Sequence, residues 1–216
     1  MAPAAPRPPA TDPAEMDERT LRIIAVAVEL AEKDGYDAVR IRDVAERADV
    51  ALATVYRRFT CKEDILCAAL DQQVAVASEL IRGSPLPDGD AEARLTWFFR
   101  EATDALAAQP KLSAAMLRTV ASGVPELAER VTRYHGRMSS LILGVYKGAF
   151  DVPHTDAEHT FARLLMHVWF GALVGWTGGM HSAEEALAEV HSGVRLLLRA
   201  MPAAQAGSPA KGSLPV

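Results

Sequence analysis

The stretch that decides the fold reads Arg40-Ile-Arg-Asp-Val-Ala-Glu-Arg-Ala-Asp-Val-Ala-Leu-Ala-Thr-Val-Tyr-Arg-Arg-Phe59. Its apolar residues recur at spacings of three and four on both sides of Asp49-Val50, which predicts two short amphipathic helices across a tight corner. The inward-facing positions can form one small core with the preceding helix, and they are Ile41, Val44, Ala45, Val50, Val55 and Phe59. Two crossed helices joined by a bend of three or four residues are typical of a helix-turn-helix.

The opposite face of the second short helix is suited to nucleic acid. It carries Ala51, Ala53, Thr54, Arg57 and Arg58, small near its N-terminus and basic near its C-terminus. Small residues let a helix approach the floor of the major groove, while Thr, Tyr and Arg side chains reach phosphates and base edges. Residues 40–62 hold six basic and three acidic residues, a net charge of +3 in a chain whose total is −5, so the remaining residues carry −8. This segregation of charge favours a local DNA-binding surface.

Helical periodicity continues on both sides of this motif. A first helix is predicted to end at Asp34-Gly35, because glycine commonly terminates helices. A long fourth helix is predicted to run toward Ile81 and to break in the Gly- and Pro-rich segment 83–90. Thr60 and Glu63 have the spacing of a capping box at the start of that fourth helix.

Five further helices are predicted in the second half of the chain. Their starts lie near Asp90, Pro110, Pro125, Asp156 and Ser182, with glycine-containing stops or bends between several of them. No stretch combines β-branched alternation with hairpin turns. The prediction is therefore an all-α chain of about nine helices, in which an N-terminal three-helix helix-turn-helix domain precedes a larger C-terminal helical domain.

The composition divides the chain into four parts. Residues 1–16 contain five prolines and no apolar core of signal-peptide length, which predicts a disordered arm. Residues 17–77 hold the helix-turn-helix domain, and residues 90–201 form the larger helical domain. Residues 202–216 are rich in Ala, Gly, Ser and Pro without periodicity, which predicts a disordered tail.

The overall composition sets the broad class of protein. A chain of 216 residues with 50% apolar and 24% charged content excludes a collagen, a coil-only tail and a disulfide miniprotein. Cys61 and Cys67 form neither a C-x-x-C motif nor a Cys/His ligand set, which suits a reducing cytoplasm and argues against a zinc module. Residues 164–183 carry no formal charge over a length near a bilayer span, but only Leu164–Trp176 is strongly apolar. A buried or interface helix is therefore favoured over a membrane span.

The sequence resembles the TetR family of bacterial transcriptional repressors. The resemblance lies in a signature that covers about the first 80 residues. The matching segments, in order and spacing, are Gly35-Tyr36, Val44-Ala45, Val50, Thr54-Val55-Tyr56-Arg57-Arg58-Phe59 and Lys62-Glu63. The sequence departs from the family pattern at Asp49 in the corner, at Ala51 and at Cys61. Asp49 can adopt left-handed dihedral angles at modest cost, so the turn is expected to survive, whereas Cys61 is a weaker helix cap than the usual Ser.

The resemblance implies roles for individual residues. Thr54 and Arg57 would lie in the major groove beside the small Ala53, and Tyr56 and Lys62 would hold phosphates. Arg42, at the start of the second helix, would hold another phosphate. The alternative is that Tyr56 and Phe59 are ordinary core aromatics and the arginines form a solvated face, and for Phe59 this alternative is favoured.

The C-terminal part resembles the ligand-sensing and dimerising domain of such repressors. Its apolar stripes are more often plain core than pocket, but a mixture of methionines and aromatic residues favours an irregular apolar cavity. The predicted pocket residues are Trp97, Phe98, Met116, Val120, Tyr134, Met138, Leu141 and Trp169. The segments 109–116 and 168–176 also look like those of the actinobacterial repressors of cholesterol and sterol catabolism, which suggests a bulky lipid or an acyl-CoA thioester as ligand.

A homodimer is expected, because one helix-turn-helix reads too few base pairs for selectivity. The eighth helix offers glycines for close helix approach, and the ninth offers an apolar stripe. The predicted dimer residues are Leu165, Val168, Gly171, Ala172, Gly175, Trp176, Leu187, Val190, Val194 and Leu197.

Motifs of enzymes are absent from the sequence. The six histidines lack metal-ligand spacing, no Ser lies in a G-x-S-x-G context, and no phosphate-binding glycine loop occurs. The sequence therefore predicts a cytoplasmic, homodimeric regulator without enzyme activity, metal or cofactor, which binds a palindromic operator in double-stranded DNA and is released by a hydrophobic small molecule. The alternative is a small all-α enzyme or lipid carrier with an incidental helix-turn-helix-like corner. Within the regulator class, activation instead of repression also stays open.

Overall fold

The computed structural model describes residues 17–201 and, over that range, contains nine α-helices and no strand, which confirms the all-α prediction. The predicted N-terminal arm and C-terminal tail lie outside the described residues. Two short 3-10 turns, Tyr36–Ala38 and Pro125–Leu127, precede α2 and α7. The helices are α1 Glu18–Asp34, α2 Ile41–Arg47, α3 Leu52–Arg58, α4 Lys62–Gly83, α5 Ala91–Ala107, α6 Pro110–Ala121, α7 Ala128–Lys147, α8 Asp156–Thr177 and α9 Ala183–Ala200.

Several helix ends are fixed by local side-chain chemistry. The Asp17 side chain accepts a hydrogen bond of 2.8 Å from the Thr20 backbone N–H at the start of α1, and Gly35 ends that helix with a φ of 82°. Both α8 and α9 begin with a complete capping box, built by Thr155 with Glu158 in α8. These caps satisfy backbone N–H groups that have no partner within the helix.

The predicted capping box of Thr60 and Glu63 is wrong. Helix α4 begins one residue later than that spacing implies, with Cys61 at the N-cap position and no capping hydrogen bond from its side chain. Asp64, at the third helical position, accepts the backbone N–H of Thr60 at 2.9 Å, while the Glu63 carboxylate accepts from the Tyr36 hydroxyl.

The helices pack as two blocks that share one apolar core. In the first block α1, α2 and α3 surround buried residues such as Ile23, Val44 and Phe59. In the second block α4 packs on α6 and α7, α5 packs on α7 and α9, and α8 packs on α9. Helix α1 contacts both α4 and α6, so the two blocks meet along those helices.

No helix within residues 17–201 combines the length and apolar character that a membrane crossing requires. Helix α8 contains most of the uncharged stretch 164–183, whose length is near that of a membrane span. It buries Phe161, Leu165 and Trp169 inside the fold. Its apolar residues are therefore explained in large part by packing within the chain.

Candidate DNA-binding face and ligand cavity

The corner between α2 and α3 has the geometry of a helix-turn-helix. Asp49 adopts a φ of 52°, the left-handed conformation expected for it. The Val50 backbone N–H then donates to the Ala45 carbonyl at 3.0 Å, which closes the end of α2. Because Asp tolerates this conformation at modest cost, the corner forms without the glycine that is usual there.

Helix α3 separates buried from exposed residues along its length. Val55 is buried, and so is Phe59 directly after the helix, so the core role of Phe59 is confirmed. Tyr56 is 53% exposed, which excludes the alternative that it is a core aromatic. The structure brings the predicted DNA-contacting side chains to the outer side of α2 and α3: Arg42, Ala53, Tyr56 and Arg57 are exposed, and Thr54 is half-buried.

Arg58 has a different environment from its neighbour Arg57. Its guanidinium donates to the Thr20 hydroxyl at 2.7 Å and pairs with the Asp17 carboxylate. Hydrogen bonds from Thr20, reinforced by Arg58, lower the pKa of Asp17. Arg58 therefore ties the end of α3 to the start of α1, and the expectation that it belongs to the DNA-facing surface is corrected.

Lys62 is held by residues of the 3-10 turn before α2. Its Nζ donates to the Tyr36 carbonyl at 3.2 Å and lies 3.7 Å from the centre of the Tyr36 ring. Arg118 of α6 lies over the same ring at 4.0 Å. Burial and the hydrogen bond to Glu63 raise the pKa of Tyr36 to about 12, so its hydroxyl stays a donor. Lys62 thus has partners within the chain, and phosphate contact by Lys62 stays a prediction.

A cavity of about 360 Å³ lies among α4, α5, α6, α7 and α8. Its volume falls within the range of small-molecule sites in proteins. Seven of the eight predicted pocket residues line it: Phe98, Met116, Val120, Tyr134, Met138, Leu141 and Trp169. Trp97 does not, and its prediction is wrong. One residue along a helix turns a side chain by 100°, which directs Trp97 away from the cavity that Phe98 reaches.

Sequence reasoning missed the contribution of α4 to this cavity. Five residues of α4 line one wall, and they are Leu70, Gln73, Val74, Ala77 and Ile81. The apolar positions 70, 74, 77 and 81 have helical spacing, which was a usable signal.

A second cavity of about 150 Å³ adjoins the first. Both are lined by Val120, Tyr134, Trp169 and Leu173. The second cavity adds two histidines, His135 and His167. Burial, together with the charge of His167, lowers the pKa of His135, which favours a neutral imidazole there.

Ion pairs that involve two buried carboxylates connect α4 to α7. Arg130 of α7 donates to the Asp64 carboxylate at 2.5 Å, and both side chains are almost fully buried. About two turns further along α4, Asp71 lies 3.7 Å from Arg133 and 3.3 Å from Arg137. These contacts fix the register between the helix that leaves the helix-turn-helix and a helix that lines the cavity.

The outer surface of α8 differs from the predicted dimer face. Six predicted dimer residues are buried within the chain, so their side chains pack inside the fold, and the prediction is corrected at Leu165, Ala172, Gly175, Leu187, Val190 and Val194. The other four remain at least partly accessible, and they are Val168, Gly171, Trp176 and Leu197. Leu164 and Val174 are also exposed on α8.

The histidines do not form a metal site in the part of the chain that the structure describes. Within residues 17–201 no three His, Cys, Asp or Glu side chains are grouped as metal ligands. His154 and His159 lie with ring centres 5.6 Å apart, near the start of α8.

An exposed helix-turn-helix joined to a helical domain with an apolar cavity defines a class of DNA-binding proteins that carry a separate ligand-binding domain. A family model described as bacterial regulatory proteins of the tetR family matches residues 23–69, and one described as the tetracyclin repressor-like C-terminal domain matches residues 89–197. The chain belongs to the TetR family of bacterial regulatory proteins, as its sequence resemblance indicated.

Relatives and solved structures agree with this assignment. The transcriptional repressor KstR of Rhodococcus jostii is 32% identical over 84% of this chain and 83% of its own length, and KstR of Mycolicibacterium smegmatis is 30% identical over 84% and 87%. A TetR transcriptional regulator from Rhodococcus sp. RHA1 has a TM-score of 0.75 at 25% identity, covering 83% of this chain and 95% of its own. The TetR-family repressor FadR of Thermus thermophilus, solved with lauroyl-CoA, has a TM-score of 0.67 at 20% identity, covering 89% and 100%. These relatives are named as regulators and not as enzymes.

Proposed function

We propose that this protein is a homodimeric repressor that binds a palindromic operator and leaves it when a hydrophobic molecule fills the cavity of its C-terminal domain. Residues 17–77 act as the DNA reader and residues 90–201 as the ligand-binding and dimerisation domain. The observation that carries the proposal is the position of α4. It begins beside the helix-turn-helix at Lys62 and lines the cavity as far as Ile81.

The DNA-binding part of the proposal rests on α2 and α3. Exposed Arg57, half-buried Thr54 and small Ala53 suit a helix in the major groove. Arg42 and Tyr56 are exposed, which leaves their side chains accessible for the phosphate contacts proposed for them. The relatives named as transcriptional repressors support this reading over that of an enzyme or a lipid carrier.

The dimer part of the proposal rests on an apolar stripe along α8. Leu164, Val168, Gly171 and Val174 recur at helical spacing and are exposed, and Leu196 of α9 is also exposed. A two-fold pairing of α8 and α9 with their mates would cover these side chains. Dimerisation would place two recognition helices one DNA turn apart, a spacing of about 34–36 Å.

The ligand part of the proposal rests on the cavity lining. The lining is mostly aliphatic, with two methionines and three aromatic side chains among its residues. Such a lining suits a bulky apolar body such as a lipid or the acyl part of an acyl-CoA thioester. The Thermus thermophilus protein of the same fold was solved with lauroyl-CoA, so this fold is able to hold an acyl chain.

Two connections could carry the effect of a ligand to the DNA reader. One is α4 itself. The other is α6, which lines the cavity through Met116 and contacts α1, where Lys111 Nζ donates to the Lys33 carbonyl at 2.7 Å. A ligand can shift the dimer only if its affinity differs between the DNA-bound and released conformations.

The test uses the full chain and a fluorescent duplex selected from a random-sequence pool by the protein itself. Anisotropy should report saturable binding of two protomers per duplex and a much weaker affinity for unselected DNA. Lauroyl-CoA, or a free fatty acid or alcohol of the same chain length, should then release the duplex. Lipid binding without preference for any duplex would instead indicate a carrier, and turnover of these compounds would indicate an enzyme.

A further inference from the structure

One polar atom stands out in the wall between the two cavities. The Tyr134 side chain is only 8% exposed and lines both the larger and the smaller cavity. Among the described residues its hydroxyl has no hydrogen-bond partner. A tyrosine hydroxyl without a protein partner can bond to water or to a ligand that enters the cavity.

Three other polar side chains that line the larger cavity already have protein partners. Trp169 Nε1 donates to the Thr103 hydroxyl at 3.0 Å. The Ser113 hydroxyl donates to the Leu106 carbonyl at 2.8 Å, and the Gln109 amide donates to Glu32 at 2.8 Å. The contrast is sharp, since each of these side chains lines the larger cavity and has a protein partner.

The remaining polar residues of the larger cavity lie at its rim. Gln73 of α4 and Glu101 of α5 are exposed, so water can satisfy them. The inner surface around Tyr134 consists of apolar side chains such as Met116, Met138 and Leu141. Burial raises the pKa of Tyr134 to about 12, so the hydroxyl stays protonated and able to donate at neutral pH.

We infer that the Tyr134 hydroxyl donates a hydrogen bond to an acceptor oxygen on an otherwise apolar effector, and that this bond selects oxygenated ligands over hydrocarbons of the same shape. The inference rests on the proposed function, because it assumes that the cavity is the effector site. The ligand class it names is an apolar molecule whose buried end carries one ketone, ester-type carbonyl or hydroxyl oxygen. The hydroxyl distinguishes an oxygenated ligand from a hydrocarbon chiefly because the hydrocarbon cannot accept this hydrogen bond.

The test compares two rigid probes that differ by one oxygen, 4-phenylcyclohexanone and phenylcyclohexane. Their binding to the full chain is followed by the change in intrinsic tryptophan fluorescence, since Trp169, one of three tryptophans, lines both cavities. In Tyr134→Phe we expect the affinity for the ketone to fall about 3- to 10-fold, the value of one neutral hydrogen bond. The affinity for the hydrocarbon should stay within about twofold. Tyr146→Phe is the matched control, since Tyr146 lies on the same helix and lines neither cavity.

The outcomes separate this inference from the proposed function. If both probes bind and Tyr134→Phe changes their affinities equally or leaves both unchanged, the role of the hydroxyl is overturned while the cavity stands. If neither probe binds the wild-type protein, the cavity is not the effector site. That result would overturn the role of Tyr134 and the ligand part of the proposed function. Because Tyr134→Phe removes only an unpartnered oxygen, circular dichroism should report an unchanged helix content.

Discussion

Arg57 and Arg58 are adjacent in sequence, yet only one of them is free to meet DNA. Arg57 points outward from α3, whereas Arg58 is bound to Asp17 and Thr20 of the first helix. We therefore expect Arg57 to act in recognition, whereas Arg58 stabilises the fold. A substitution at each position should separate the two roles.

Arg57→Ala should weaken binding to the selected duplex by about 1–3 kcal/mol, because a base-edge contact of an arginine has that value. The thermal unfolding midpoint should stay unchanged, since Arg57 is exposed. Arg58→Ala, the control, should lower that midpoint by loosening α3 from α1. Fluorescence anisotropy and thermal denaturation give the two readouts. Equal effects of both variants on DNA affinity, with no difference in stability, would place the recognition residue elsewhere.

Sequence reasoning succeeded at residues whose role depends on local geometry and failed where tertiary partners decide. Asp49 was correctly expected in a left-handed corner, because that conformation follows from the local turn. The engagement of Lys62 with Tyr36 depends on the 3-10 turn, 26 residues earlier in the chain. The aromatic character of Trp97 favours a place in the pocket. Successive residues of α5 are rotated by about 100°, however, and this rotation decides that Phe98 and not Trp97 reaches the cavity.

At the scale of elements, the order and approximate starts of the helices were predictable, because caps, prolines and glycines lie close to their ends. The face that each helix presents to its neighbours was harder to predict. On α8 an apolar stripe faces the core and a second, weaker stripe faces outward, so hydrophobicity alone did not distinguish Leu165 from Leu164. The missed wall of α4 has the same cause, since core and cavity linings have the same composition.

Two glycines of α8 provide a test of the dimer face. Gly171 has open space where a Cβ would lie, whereas a Cβ at Gly175 would collide with the His181 ring. Gly171→Glu should therefore leave the protomer folded and, by placing a charge in the interface, convert the dimer to monomers at micromolar concentration. Gly175→Glu should instead destabilise the turn between α8 and α9. Sedimentation velocity checks the first expectation, and a Gly171→Glu protein that stays dimeric would refute this interface.

The buried pair between α4 and α7 can be tested by a double-mutant cycle. Arg130→Met leaves the Asp64 carboxylate buried without its cationic partner, which should lower the free energy of unfolding by about 3–5 kcal/mol. The double variant Asp64→Leu, Arg130→Met removes both charges and should be more stable than Arg130→Met alone. Urea denaturation of both proteins and of Asp64→Leu measures the coupling. Strictly additive losses would show that the two side chains act independently.

At the scale of the whole molecule, the DNA reader and the cavity share structural elements instead of being joined by a flexible linker. Helix α4 of the second block packs on α1 of the first and lines the cavity, and α6 touches both the cavity and α1. The Tyr36 ring contacts Lys62 at the start of α4 and Arg118 near the end of α6. It therefore joins the 3-10 turn to both helices. We therefore expect a ligand that displaces either helix to change the orientation of the DNA reader.

Filling the cavity without a ligand tests this coupling. Met138 is buried on α7 and lines the cavity, so Met138→Trp should occupy part of the 360 Å³ that an effector needs. We expect the variant to keep its affinity for the selected duplex and to need roughly tenfold more effector for release, a coupling change within the usual allosteric range. Met180→Trp is the matched control, because Met180 is 82% exposed between α8 and α9, and it should respond like the wild type.

By reciprocity the duplex must weaken effector binding by the same factor as the effector weakens DNA binding. Anisotropy titrations in both orders measure these factors, and an unaltered response of Met138→Trp would show that the effector binds outside this cavity.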